Sequence, residues 1–182
     1  VRIISGKLKA RRFTVPKGFP SRPTTDFAKE GLFNMLENRM SLVDLSILDL
    51  CAGTGNISFE FISREAGTVT AVDQNFKCIQ HIYKNATALN VLDEIRIVKS
   101  EILRFVEQTK DTYDLIFADP PYDFKAHKTL TENILTKKIL TPNGLLIIEH
   151  GKHTDLSSLN GYEFTRPYGN VFFSFFTPIE IA

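Results

Sequence analysis

Tryptophan is missing from this sequence of 182 residues, and cysteine and methionine occur only twice each. Two cysteines, Cys51 and Cys78, are too few for a disulfide framework or a structural zinc site, so a reducing, cytoplasmic setting is expected. No apolar run approaches the roughly 20 residues needed to cross a bilayer. The longest candidates, Leu145–Ile148 and Val171–Phe176, are strand-sized. The N-terminal stretch lacks the apolar core of a secretory signal. Neither membrane insertion nor export is expected. With 43% apolar residues the chain can bury a substantial core, which excludes disorder as its main state. The length fits one domain, 1–182.

Acidic residues are absent from one stretch. Residues 1–25 hold Arg2, Lys7, Lys9, Arg11, Arg12, Lys17 and Arg22 and no Asp or Glu. The overall charge of +1 therefore divides into a +7 arm and a −6 body, in which the other 15 bases face all 21 acids. Such an arm is either a solvated terminus or a grip for phosphates, with Arg2, Lys7, Lys9, Arg11, Arg12 and Arg22 as candidate RNA contacts. Ile3-Ile4 and Phe13-Thr14-Val15 suggest short extended pieces around Ser5-Gly6, and Pro16, Gly18, Pro20 and Pro23 punctuate the connection that follows. Asp26 is placed to cap a leading helix over 26–40, with Ala28, Leu32, Met35, Leu36 and Met40 on one face.

From Ser46 the pattern alternates between strands and helices. Ile47–Leu50, Val69–Val72, Ile95–Val98, Tyr113–Ala118 and Leu145–Ile148 read as strands. Helices are expected over 56–64, 75–90, 102–109 and 126–139. Strands that are apolar almost throughout predict a sheet covered on both faces, and repeated strand–helix units predict parallel pairing. The expected fold is α/β, a doubly wound, mostly parallel sheet over 46–182. Tyr162–Arg166 and Val171–Thr177 flank Tyr168-Gly169-Asn170 and predict a closing antiparallel hairpin.

Two motifs carry chemistry, both at carboxyl ends of predicted strands. The first is Asp49-Leu50-Cys51-Ala52-Gly53-Thr54-Gly55. Gly53 and Gly55 permit a tight turn and close approach of a ligand. Asp73 ends the next strand and can accept hydrogen bonds from both hydroxyls of a ribose. Ser58, at the position of a dinucleotide fingerprint's third small residue, does not discriminate between nucleotides. Asp49 does: a carboxylate beside the turn repels a pyrophosphate and suits a sulfonium, as in S-adenosylmethionine. The second motif is Asp119-Pro120-Pro121-Tyr122. Successive prolines fix the loop as a rigid shelf. The Asp119 carboxylate and the Pro120 carbonyl can accept N–H bonds from an exocyclic amine, and Tyr122 can stack on the base.

These motifs resemble the cofactor and catalytic motifs of class I amino-methyltransferases. Arg2-Ile3-Ile4-Ser5-Gly6, Lys9-Ala10-Arg11-Arg12-Phe13, Arg22-Pro23-Thr24-Thr25-Asp26 and Lys29-Glu30-Gly31-Leu32-Phe33-Asn34 resemble the RsmD family specifically. The similarity includes Glu149-His150 and the Tyr168-Gly169 turn; Ser5 and Ala10 stand where the family usually has glycine. The resemblance implies a methyl transfer from S-adenosylmethionine to N2 of one guanine in 16S ribosomal RNA, either naked or within an assembled small subunit. It also implies a cofactor set of Asp49, Ala52, Gly53, Thr54, Gly55, Asp73, Gln74, Ser100 and Glu101, with Glu101 near the adenine. Rival readings are a DNA adenine-N6 or cytosine-N4 methyltransferase, a protein-glutamine methyltransferase, which would favour Asn in place of Asp119, and a non-catalytic RNA-binding module. His81, His127, His150 and His153 lack metal-ligand spacing, so no metal is expected. No exposed apolar stripe argues for a dimer, and a monomer is expected.

Overall fold

The computed structural model describes residues 1–121 and 123–179. Its elements are α1 (Asp26–Arg39), β1 (Ser46–Leu50), α2 (Asn56–Ser63), β2 (Thr68–Asp73), α3 (Phe76–Ala88), β3 (Ile95–Lys99), α4 (Ile102–Gln108), β4 (Tyr113–Ala118), α5 (His127–Thr136), β5 (Leu140–His150), β6 (Tyr162–Tyr168) and β7 (Val171–Phe176). One seven-stranded sheet runs in the order β3-β2-β1-β4-β5-β7-β6. The strands β1 to β5 pair in parallel, and β7 runs antiparallel to both β5 and β6. Ile47, Leu48, Leu50, Leu115 and Ile116 are fully buried, because helices cover both faces. Apolar residues of α1, α2 and α3 pack on one face, and those of α4 and α5 on the other. No helix among the described residues is long and apolar enough to cross a membrane.

The chain winds outward from β1 to β3, then returns to place β4 on the other side of β1. That reversal opens a crevice between the carboxyl ends of β1 and β4, where sheets of this kind bind ligands. Leu50 pairs with Ala118 there, so the glycine turn and the Asp119 shelf emerge side by side.

Three details differ from the sequence expectation. The cap of α1 is Thr25, whose side chain accepts from the Ala28 amide, while Asp26 lies in the first turn and pairs with Arg2 at 3.3 Å. β5 begins at Leu140, because Leu140 pairs with Tyr113 ahead of a register shift that the Pro142-Asn143-Gly144 segment had hidden. The basic arm is neither frayed nor separate. Arg2 and Arg12 pair as an antiparallel bridge, and Ile3, Leu8 and Phe13 are buried within the core on the α2 face. Gly6 is required at this junction: it has φ +89, and a Cβ there would lie 1.9 Å from the Ser63 carbonyl oxygen. Ala10 adopts φ 67, the left-handed backbone that its usual glycine would take more easily.

A buried charge network clamps the arm. Glu60 accepts from the amides of Ile4 (2.9 Å) and Ser5 (3.1 Å) and from Arg64 Nε at 2.9 Å. Lys29 is fully buried, with Nζ 3.3 Å from Glu60 Oε1, and it donates to the Arg2 carbonyl and to Asn56 Oδ1, each at 2.6 Å. Sequence reasoning missed this network, since Lys29 and Glu60 carry no signal that separates them from surface residues.

Candidate active site

The glycine turn is built on left-handed backbone at Cys51 (φ 61), Gly53 (φ 58) and Gly55 (φ 83). Cys51 has to tolerate a conformation that is strained for a side-chain-bearing residue. The turn is tied to β2: the Ala52 amide donates to the Val72 carbonyl and the Gly53 amide to Asp73 Oδ2, both at 2.9 Å. A Cβ on Gly53 would lie 2.3 Å from Ser21 Oγ, so this glycine makes room for the 21–24 segment that folds over the turn. Asp73 Oδ1 accepts from the Asn75 amide at 2.9 Å, which fixes the carboxylate's orientation at the end of β2.

Asp49 is 1% exposed beneath the turn and accepts from Ser58 Oγ at 2.6 Å. Burial pushes its carboxyl up to about 7, against the stabilising Ser58 bond, and the nearby Asp73 raises it further. The position that was silent between nucleotide types thus has a clear role, holding Asp49. Cys51 is half-buried, and burial drives its thiol far above its ordinary range, so it is inert as a nucleophile.

Asp119 follows β4 with its amide donating to the Leu50 carbonyl at 3.2 Å. Pro120 is buried, Pro121 is exposed, and the Pro121 carbonyl accepts from the Phe124 amide at 2.9 Å, closing the shelf. Tyr122 lies outside the described residues. Burial, and then a hydrogen bond and charge contact with Glu149 of β5, hold Asp119 well above the usual carboxylate range. Glu149 in turn accepts from Thr24 Oγ1 at 3.3 Å. Neither Glu149 nor Thr24 stood among the site residues expected from sequence; only their place in the family-like segments hinted at them.

Two cavities adjoin these groups. A cleft lined by Arg22, Thr24, Asp49, Ala52, Thr54 and Asp119 encloses about 20 Å³, the room of a single water. Arg22, expected with the RNA-gripping arm, is therefore placed in the wall of this cleft. A wider groove of about 740 Å³ opens along β3 and α4 and includes Gln74, Ser100 and Glu101. Glu101 uses both carboxylate oxygens to cap α4, accepting from the Leu103 and Arg104 amides at 3.0 and 2.9 Å. The remaining arm residues spread over the surface. Arg2 pairs with Asp26, Lys7 with Glu94, and Arg11 reaches the Ala88 carbonyl, whereas Lys9 and Arg12 are exposed with no ion pair among the described residues. His81 packs between Phe13 and Phe19, and the described residues contain no group of side chains able to hold a metal.

A family model described as conserved hypothetical protein 95 matches residues 1–177. Ribosomal RNA small subunit methyltransferase D of Escherichia coli K12 is 34% identical over 149 residues, covering 82% of this chain and 71% of that protein. The chain belongs to the RsmD family. Its Haemophilus influenzae relative of the same name is 32% identical over 160 residues, covering 86% of this chain and 81% of that one. Among solved structures, the Escherichia coli methyltransferase yhhF superposes with a TM-score of 0.86 at 24% identity, over 99% of both chains, which supports the fold. In RsmD-family terms, the doubly wound sheet and closing hairpin expected from sequence are both present.

Proposed function

We propose that this RsmD-family protein is a cytoplasmic S-adenosylmethionine-dependent methyltransferase acting on the N2 amine of a guanine in small-subunit ribosomal RNA, presented within an assembling or assembled subunit. The observation that carries the reading is the meeting of two carboxyl-bearing loops across one switch point. Asp49 lies under the glycine turn of β1, and Asp119 ends the adjacent β4. The residues fit the cofactor. Asp49, Asp73, Asp119 and Glu149 gather acidic groups near the turn, a setting that favours a sulfonium over a pyrophosphate, and the groove at Gln74, Ser100 and Glu101 has room for a nucleoside.

When bound, S-adenosylmethionine supplies a methyl group already activated on sulfur. The protein's task is then positioning and electrostatics. Asp73, held rigid by Gly53 and Asn75, presents its remaining lone pairs to the ribose. Asp119 and the Pro120 carbonyl accept N–H bonds from the guanine amine, turning its nitrogen lone pair toward the methyl group.

Incubation with methyl-labelled S-adenosylmethionine and small subunits, naked ribosomal RNA or duplex DNA tests the reading. Label is expected in RNA as N2-methylguanine and more in subunits than in naked RNA. Label in DNA alone would replace the reading with the DNA-methyltransferase one, and no transfer to any acceptor would leave a binding module.

A further inference from the structure

Asp119, half-buried at the end of β4, has a buried carboxyl beside it, that of Glu149, to which the proposed chemistry gives no role. Ala118 and Ile148 are partners in the β4–β5 register, so Asp119, just past the end of β4, and Glu149, near the end of β5, lie at the same level on adjacent parallel strands. Two carboxyls side by side in a site this poor in water do not both ionise, so the pair is expected to hold one proton between them, and Asp119 is raised accordingly. Glu149 is 7% exposed and has a second partner, Thr24 Oγ1, at 3.3 Å. Thr24 is itself fixed, because Asn56 Nδ2 donates to its carbonyl at 3.0 Å and Lys29 holds Asn56 Oδ1 at 2.6 Å. Lys29 also holds the Arg2 carbonyl of the basic arm. A continuous polar chain therefore runs from the arm to the catalytic shelf: Arg2, Lys29, Asn56, Thr24, Glu149, Asp119.

We propose that Glu149 is a positioning residue for methyl transfer: tethered by Thr24, it holds one oxygen of Asp119 through a shared proton and leaves the other oxygen to accept the substrate amine. The role follows from the chemistry of the pair. A lone carboxylate at the end of a strand can rotate about its two side-chain torsions, and an amine acceptor misplaced by an ångström forfeits much of the rate. A shared proton removes that freedom and keeps the pair at one negative charge rather than two. The groups facing it are Asp49 from β1, the Cys51 thiol just after β1 and Arg22 from the covering segment. The contact between Asp119 and Glu149 couples the two titrations, so the proton belongs to the pair. Both groups are also raised by burial. Raising the pH therefore strips the pair of its proton and breaks the link.

The inference rests on the methyltransferase reading for its function, but its structural half is measurable without turnover. Carboxyl-carbon NMR titration of Asp119 is compared between wild type and Glu149→Gln, each with folding checked by amide spectra. The glutamine can still bridge Asp119 and Thr24, yet it removes the competing acid, so Asp119 is expected to titrate at lower pH than in wild type. In single turnover, wild type is expected to slow as the pH rises, and Glu149→Gln is expected to keep most of the rate and to lose that decline. Glu149→Ala is expected to slow transfer by up to about 10²-fold with cofactor affinity unchanged. Thr24→Val, which leaves both carboxyls in place, is expected to move the Glu149 titration upward, and it serves if the position-149 variants do not fold. An Asp119 titration identical in wild type and Glu149→Gln, or a Glu149 titration unmoved in Thr24→Val, overturns the proposal. A wild-type protein that methylates no RNA refutes the functional reading, and the two titrations still decide whether the pair exists.

Discussion

Removing the Glu60 carboxylate should release the basic arm and destabilise the whole protein. In Glu60→Ala, the fully buried Lys29 ammonium loses its counter-charge 3.3 Å away, Arg64 Nε loses its bond at 2.9 Å, and the Ile4 and Ser5 amides lose their acceptors. Breaking a buried ion pair from one side costs about 3–5 kcal/mol, chiefly because the surviving charge remains out of water. For a domain of this size each kcal/mol corresponds to roughly 2–4 °C in Tm, so a fall of about 6–20 °C is expected. Lys29→Met is the informative comparison: it leaves Glu60 with Arg64 as a partner, so its loss should be smaller. Thermal and urea denaturation give the two stabilities, and limited proteolysis near residues 7–12 reports whether the arm lifts. A Glu60→Ala protein within about 1 kcal/mol of wild type, with an equally protected arm, would refute the argument that this network holds the arm down.

Four further outcomes are expected. Asp73→Ala should weaken S-adenosylmethionine binding by roughly 1.5–3 kcal/mol in calorimetry, the range for hydrogen bonds to a charged group, and unchanged affinity would remove Asp73 from the site. Asp119→Ala should leave that affinity nearly intact and cut the single-turnover rate by roughly 10²–10³; a fall under about threefold would sink the shelf mechanism. Neutralising Arg11 and Arg12 together should lower RNA affinity about equally for cognate and unrelated sequences, taking roughly 0.7–0.9 from the salt slope per lost phosphate contact. Cofactor affinity should not change, since both side chains are exposed, and an unaltered slope would return them to solvent. Asp49, held at about 7 by burial, is largely protonated below that pH, whereas a sulfonium favours its ionised form. Binding should therefore release protons and strengthen as pH rises toward 7; calorimetry in buffers of different ionisation enthalpy reads this, and Asp49→Asn should abolish it.

The sequence by itself determined the elements and the two motifs, because both are written in local physics. Apolar runs such as Leu115–Ala118 are strands whatever their neighbours, and Gly53, Gly55 and the paired prolines restrict their own backbone. Parallel pairing followed from the helical crossovers, and motifs that end strands fall on one edge of such a sheet. Long-range contacts carry no such local signature. Only the tertiary structure places β4 beside β1, so that Asp119 emerges next to the glycine turn. Only it draws the arm into the core and sets Arg22 in the wall of the cleft beside Asp119. Lys29, Glu60, Asn56, Thr24 and Glu149 read as ordinary polar residues, since burial of a charge depends on what packs around it from 27 or more residues away. The chemistry of the site was legible because it sits at strand ends; the network that holds it in place was not, because all of its bonds but the Glu60–Arg64 one join distant parts of the chain.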